Sequence, residues 1–459
     1  MEIGPKAWWL KVVGRRPIAN TAIMGAAVQV VRPAIALVTV PALLGHLGAA
    51  GLGVWMMALS TMGVMGFLNA GVAGATITAV GRASGEDRRE TVNIVATSAM
   101  VLALLAGLAT AVPGAAAAAL LDWQKLLRLN GAVSGDELKK LMFVLAVSLG
   151  VGFPANVPKF ILLGHLKGYL AHSLDLVGAL ASAGLLILGI WLGWPIYLLA
   201  AAFLFPQTAV LLFGGGVLLT RERIAFISPD KFNRATFSDL LRHGSKLALY
   251  QASFAFSSHL GLILVGLIAG PKASATFGVA QRLFALPLTF VATLNYALWP
   301  ALAKADAAGH LDWARRTYLK TLSITLGVGV VVAVVMTVFY EQIIILWLGR
   351  PIETPAALTV GMAAWLLVSI AVNSSDTLLR SRGQTNLLMI AMVAMLLVAL
   401  PTSILLIQQI GAAGAIWGTV IAFVLCLIIP YSIAIRRAFA RPARGPAGGA
   451  AAGEPVADL

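Results

Sequence analysis

The chain has 459 residues, 59% of them hydrophobic and only 11% charged, with a formal net charge of +15 and a mean hydropathy of +0.91. A soluble globular chain carries about 25% charged residues, so this one lacks the polar material to cover its surface in water, and the bilayer is its natural solvent. That excludes a cytosolic enzyme, a nucleic-acid-binding module and a secreted disulfide scaffold.

In chain order, the stretch from Pro5 to Lys11, with Trp8 and Trp9 at its centre, is expected to lie flat on the inner membrane surface. The apolar run that follows, Ile18 to Leu44, is far longer than the roughly 7–15-residue core of a signal peptide and reads as an uncleaved first span. Each span needs about 20 mostly apolar residues. Segments of that kind fall at 18–44, 52–80, 92–120, 141–163, 169–192, 195–219, 245–269, 273–303, 317–339, 356–379, 384–408 and 411–435, which makes twelve. Outside loops are short except 121–140 and 340–355, and Asp122 to Leu129 has the spacing of an amphipathic surface helix. Cys426, the single cysteine, sits in an apolar run, so neither disulfides nor a thiolate metal cluster are expected, and no metal or other cofactor. The Pro/Gly-rich end reads as a disordered tail.

The basic surplus alternates between loops. With the N-terminus inside, only Lys125, Arg128, Lys139, Lys140, Lys272 and Arg350 fall in outside loops, Arg32, Lys159, Lys246 and Arg282 lie deeper within spans, and the remaining 23 of the 33 Lys and Arg lie inside, with Lys320 at the inner edge of its span. Such asymmetry orients membrane proteins, placing both termini in the cytoplasm, and it accounts for the net charge without nucleic acid. Trp55, Trp191, Trp194, Tyr340 and Trp347 near outer ends, and Trp8, Trp9, Trp299 and Trp313 near inner ends, are expected as interfacial belts.

The longest charged interruption, 220–243, divides the chain into an N-terminal six-helix lobe (1–219), a cytoplasmic linker (220–243), a C-terminal six-helix lobe (244–435) and a disordered cytoplasmic tail (436–459). Six spans per half is the condition for a parallel repeat. Gly51-Leu52-Gly53-Val54-Trp55 opens the second span and Thr276-Phe277-Gly278-Val279-Ala280 the eighth; Gly53 to Gly85 is 32 residues and Gly278 to Gly309 is 31. The expected fold is therefore all-α and polytopic, two pseudo-symmetric six-helix lobes around a central cavity, the common transporter design. Mid-span prolines (Pro33, Pro41, Pro154, Pro158, Pro206, Pro287, Pro401) supply kinks at which such lobes can hinge.

A charge at mid-bilayer costs at least ~2.5–3.5 kcal/mol, so it faces a wet cavity or a partner. Arg32, His259 and Arg282, on spans one, seven and eight, are the candidate substrate-binding residues, because guanidinium keeps its charge and fits phosphate oxygens in bidentate fashion. Each has a structural alternative: bonding to neighbouring carbonyls for the arginines, a hydrogen-bonded core position for the histidine. Lys159 and Lys246, near inner ends, read as snorkelling. Asp175 and Asp376 are candidate ion-coupling residues; their alternatives are pairing with His172 and, at i,i+4 spacing, with Arg380.

Gly51 to Trp55, then Ser60, Gly63 and Phe67-Leu68-Asn69-Ala70-Gly71-Val72, resemble the first hairpin of bacterial polysaccharide (O-antigen, Wzx-type) flippases, in the superfamily that also holds lipid II flippases and multidrug extruders. Phe277 to Leu283, Trp299-Pro300-Ala301, Ile345 to Gly349 and Arg380-Ser381-Arg382-Gly383 carry the same resemblance through the second half. It implies a flippase of the bacterial inner membrane that moves an undecaprenyl-pyrophosphate-linked oligosaccharide from the cytoplasmic to the periplasmic leaflet by alternating access. A polysaccharide polymerase and a chain-length regulator are its implied protein partners. Arg282 falls within the second-half motif, and Arg32 sits where related proteins place cationic cavity residues. Relatives often carry an acid after the Phe-Leu pair of span two; this chain has Asn69, so no acid is available for coupling there, and proton, sodium and membrane potential stay open. Two other readings compete. A multidrug extruder would need acids deep in the cavity, and a membrane polymerase or glycosyltransferase would need a sizeable loop bearing acids or histidines.

Overall fold

The computed structural model describes residues 16–85, 89–126, 133–307 and 310–440. Among these there is no strand. The helices are α1 (16–47) and α2 (49–85), α3 (Arg89–Leu120), α4 (Gly135–Gly164), α5 (Gly168–Trp191), α6 (Ile196–Arg221), α7 (Arg234–Ala269), α8 (Pro271–Ala307), α9 (Leu311–Val338), α10 (Ala356–Ser381), α11 (Thr385–Ile410) and α12 (412–440). Long apolar runs form helices here because a spanning segment in lipid must satisfy every backbone polar group internally. By length and composition, 10 described helices can cross a membrane. One of those is α1 and α2 joined at Gly48, and α7 contains the predicted seventh span.

The turns repeat after six helices. Gly48 (φ 69) separates α1 from α2, and Gly270 (φ 90) separates α7 from α8; Leu166 (φ 58) and Gly383 (φ 70) lie in the α4–α5 and α10–α11 turns; Gly193 (φ 72) and Gly411 (φ 62) lie in the α5–α6 and α11–α12 turns. A left-handed residue clashes through its Cβ, so glycine fills all of these but Leu166. The sixth and twelfth helices each contain one π-helical turn, Val210–Gly214 and Val424–Ile428. This shared turn chemistry is a stronger sign of an internal repeat than the glycine motifs in the sequence.

Loops predicted inside meet at one end of the molecule. Ser84 Oγ and His165 Nδ1 are hydrogen-bonded at 2.8 Å, Lys167 Nζ donates to Glu222 Oε2 at 2.6 Å and Lys231 Nζ to Glu90 Oε1 at 3.1 Å. The ammonium of Lys167 holds the Glu222 carboxyl below the usual carboxylate range. Arg382 Nε donates to Asp306 Oδ1 at 2.7 Å, and its guanidinium lies 4.8 Å from the Phe439 ring centre. The segment between α6 and α7 is docked on α3: the Phe226 N–H donates to Asn93 Oδ1 at 2.8 Å and the Ser228 N–H to Thr97 Oγ1 at 3.3 Å. Asn233 caps α7 by accepting from the Thr236 N–H at 3.0 Å. Residues 436–440, expected in a disordered tail, continue α12 instead, where Phe439 packs under Arg382. The rest of that tail, the Pro5–Lys11 stretch and residues 127–129 of the predicted surface helix lie outside the described residues.

At the opposite end His46 Nε2 donates to the Trp194 carbonyl at 2.9 Å, and Lys140 Nζ lies 5.4 Å from the Tyr197 ring centre. A short helix, Tyr340–Leu348, clamps α1 there. Pro41 has no N–H to give the Leu37 carbonyl, and Trp347 Nε1 donates to that oxygen at 2.7 Å. Gly48 leaves the helix, which frees the Leu44 carbonyl, and Arg350 Nη2 donates to it. Two of the expected belt aromatics are core residues. Trp55 is 2% exposed and meets Phe203 edge-on at 5.7 Å, and Tyr340 is 6% exposed and stacks on Phe284 at 6.4 Å. Nearness to a helix end does not decide which face a ring occupies, and both rings face protein. Trp191, 88% exposed, is placed as a belt residue must be. Trp8 and Trp9 lie outside the described residues, as does the side chain of Trp299.

Helix α2 runs against α7 and the start of α8 along its whole length. A Cβ on Gly53 would overlap the Pro271 carbonyl, one on Gly63 would meet the His259 ring, and one on Gly71 would lie 2.6 Å from the Gly244 carbonyl. The motif glycines of span two are thus contact residues that let backbones approach, as small residues do in membrane helix packing. Phe67 and Phe256 close the same seam with ring centres 6.3 Å apart.

Candidate functional site

Helices α8 and α10 each present one polar stripe to a common chamber. On α8 it runs Gly278, Gln281, Arg282, Ala285, Thr289, Ala292 and Asn295; on α10 it runs Trp365, Ser369, Asn373, Asp376, Thr377 and Arg380. The three- and four-residue steps are the helical repeat, so one face of each helix supplies the wall. Buried Phe277, Val279, Ala280, Leu283 and Phe284 anchor the rest of that part of α8 in the core. Gln29 from α1, Ser60 from α2 and Gln251 and His259 from α7 complete a cavity of about 640 Å³.

The chamber's charges are unequal. Arg380 Nε donates to Asp376 Oδ2 at 2.6 Å, the pairing that i,i+4 spacing predicts. The second carboxylate oxygen, Oδ1, is buried without a hydrogen-bond partner among the described residues, as is Nδ2 of Asn295. Arg282 and His259 line the cavity and make no hydrogen bond or ion pair with any described residue. With Asp376 and Arg380 offsetting each other, Arg282 leaves the chamber net positive.

Arg32 is not in this chamber, which corrects the expectation that it joins His259 and Arg282. Its Nη2 donates to Asp175 Oδ1 at 3.4 Å, and it borders a second cavity of about 460 Å³ between α1, α2, α4, α5 and α6. Asp175, 3% exposed, also accepts from Lys159 Nζ, 2.9 Å from Oδ1 and 2.7 Å from Oδ2. Lys159 therefore turns to a buried carboxylate rather than snorkelling. His172 Nδ1 stands 3.7 Å from Asp175 Oδ2, a weaker contact than either cation. The side chain of Lys246 lies outside the described ones. Searching the spans for ionisable groups overlooked Gln29, Gln251, Gln281, Asn295 and Asn373. A four-residue repeat of uncharged polar groups, Ser369, Asn373 and Thr377, was the signal available.

Twelve helices gathered around internal polar chambers define a membrane transporter. The polysaccharide biosynthesis protein family profile matches residues 18–306, and the chain belongs to that family. A second profile, MatE, matches 247–405, so the protein is a member of the MOP exporter superfamily, which includes polysaccharide flippases. Solved structures agree on the fold. One described as the inward-facing conformation of a multidrug resistance MATE family transporter of the MOP superfamily has 18% identity and a TM-score of 0.73, over 90% of this chain and 98% of that one. A MOP superfamily transporter from Pyrococcus furiosus, described as having a binding pocket of reverse polarity that suggests a different function, has 19% identity and a TM-score of 0.62 over 92% and 95%. A MATE in complex with MaL6 aligns with 19% identity and a TM-score of 0.62 over 92% and 96%. No curated protein sequence matches this chain.

Proposed function

We propose that the protein is a flippase carrying a polyprenyl-pyrophosphate-linked oligosaccharide from the cytoplasmic to the periplasmic leaflet of a bacterial inner membrane, in the making of surface polysaccharide. The lobes 1–219 and 244–435 alternate access, with both termini cytoplasmic as the loop charges favour. The observation that carries this reading is Arg282, a guanidinium with no partner among the described residues in a chamber where Asp376, the one carboxylate among the described lining residues, is already paired. A buried cation of this kind is costly unless an anion visits it, and pyrophosphate suits its planar fork. His259 stands in the same wall as a further donor. Ion coupling falls to Asp376, whose buried Oδ1 has no hydrogen-bond partner among the described residues, rather than to Asp175, which Lys159 and Arg32 already neutralise.

Reconstituted into liposomes with a polyprenyl-pyrophosphate-linked oligosaccharide, Arg282→Ala is expected to lower translocation by about tenfold or more, since a charge-assisted bond to phosphate is worth ~1.5–3 kcal/mol. Arg282→Lys keeps the charge and retains part of the rate. Undiminished translocation by Arg282→Ala overturns the reading.

The MatE profile and the MATE-like fold favour a second reading, a multidrug extruder. Its cationic cargo would have to compete with Arg380 for Asp376. Extrusion of cationic dyes that Asp376→Asn abolishes and Arg282→Ala spares would establish it over the first.

A further inference from the structure

The second cavity lies wholly within the first six helices and differs in character from the Arg282 chamber. Apart from Arg32, which pairs with Asp175, its polar lining is neutral: Asn69, Ser148, Asn156, Ser182, Gln207 and Thr208. Some of these are satisfied by protein. Asn156 Nδ2 donates to the Gly152 carbonyl at 2.7 Å, Thr208 Oγ1 to the Leu204 carbonyl at 3.0 Å, and Ser182 Oγ accepts from the Gln207 N–H at 3.1 Å. Three are not. Asn69 Oδ1, Ser148 Oγ and Gln207 Nε2 are buried with no hydrogen-bond partner among the described residues, a condition that folded proteins largely avoid because the desolvated atom gets nothing in return.

Together these three supply an acceptor, a hydroxyl that both donates and accepts, and a donor. They come from α2, α4 and α6, so only tertiary packing brings them to one cavity. Gly178 on α5 makes room for the Gln207 amide, since a Cβ there would lie 2.8 Å from its carbon. The remaining wall is apolar and includes the rings of Phe153 and Phe203. Uncharged donors and acceptors set among aromatic rings do not suit a phosphate or an organic cation. They suit a pyranose, whose hydroxyls donate and accept and whose C–H face packs on an aromatic ring. The volume, about 460 Å³, lies within the roughly 300–1,000 Å³ of ligand pockets.

We propose that this cavity is a saccharide subsite, in which Asn69, Ser148 and Gln207 hydrogen-bond a neutral sugar ring with or without an N-acetyl arm. That the sugar arrives lipid-linked rests on the flippase reading, with pyrophosphate read by the second half and sugar by the first. Asn69 then has a role in place of the acid that relatives often carry: it offers the sugar an amide and adds no charge to the subsite.

The test uses the full-length protein in lipid nanodiscs and three kinds of probe: geranyl pyrophosphate, geranyl pyrophosphate bearing one hexose or N-acetylhexosamine from a panel, and the same sugars free. The readout is the ratio of affinities with and without the sugar. In the wild type at least one sugar is expected to raise affinity about tenfold, the worth of one or two net hydrogen bonds. Ser148→Ala, which removes one oxygen, and Gly178→Ala, which removes no polar atom but displaces the Gln207 amide, each bring that ratio towards one. Both leave affinity for geranyl pyrophosphate itself unchanged, which also shows that they are folded. A ratio that neither variant alters, or a wild type for which no sugar, attached or free, adds affinity, overturns the proposal. Failure of the flippase reading has a different signature. Geranyl pyrophosphate then binds no differently in Arg282→Ala, while free-sugar binding still falls in Ser148→Ala.

Discussion

Two arginines placed within spans look alike in the sequence and are opposite in the fold. Arg282 has no partner among the described residues, whereas Arg32, 53% exposed at its side chain, shares Asp175 with Lys159. The pairing of Asp376 with Arg380 was legible because both lie on one helix face. That of Asp175 with Lys159 was not, because it spans α4 and α5 and depends on how those helices pack. Removing one member of a buried pair strands the other, at a cost of about 3–5 kcal/mol. Asp175→Asn is therefore expected to lower the thermal unfolding temperature of the purified protein markedly, and adding Lys159→Met to recover most of the loss. An Asp175→Asn protein as stable as the wild type would mean that the carboxylate does not hold Lys159.

At the scale of the element, α1 shows how a proline's defect becomes a contact. A spanning helix cannot leave a carbonyl bare in lipid, and the oxygen that Pro41 leaves without a donor is taken by Trp347 from the other half of the chain. Trp347→Phe keeps the ring's bulk and removes its N–H. The expected loss of stability is ~1–3 kcal/mol, seen as a lower unfolding temperature, and an unchanged temperature would show that the Leu37 oxygen finds another donor. The chamber stripes on α8 and α10 also belong to this scale. Their period was present in the sequence, but apolar spans carry polar residues for several reasons, so only the shared cavity singles out Asn295 and Asn373.

At the scale of the molecule, the seam between α2 and α7 is set by small residues. At Gly71 any side chain meets the Gly244 carbonyl and the Ala248 methyl, and backbone cannot yield as a flexible side chain can. Gly71→Val is thus expected to force the two helices apart at that level. A cysteine placed at Asn295, with Cys426 replaced, would react faster with a water-soluble thiol reagent in the Gly71→Val background. Equal rates in both backgrounds would show that the seam is not closed there.

Sequence by itself determined the solvent of this protein, its long apolar helices and which of the described loops share an end. These follow from rules that act on short stretches: lipid requires about 20 apolar residues in an unbroken helix, and loop charge sorts by side. It also carried the family resemblance, through glycines whose purpose the sequence left unstated. Only the tertiary structure decided that Trp55 is core, that Arg32 is tethered while Arg282 has no partner among the described residues, and that Asn69, Ser148 and Gln207 face one cavity. Each of those facts is a relation between helices far apart in the chain, and a charge or an amide in a membrane takes its meaning from what stands across from it.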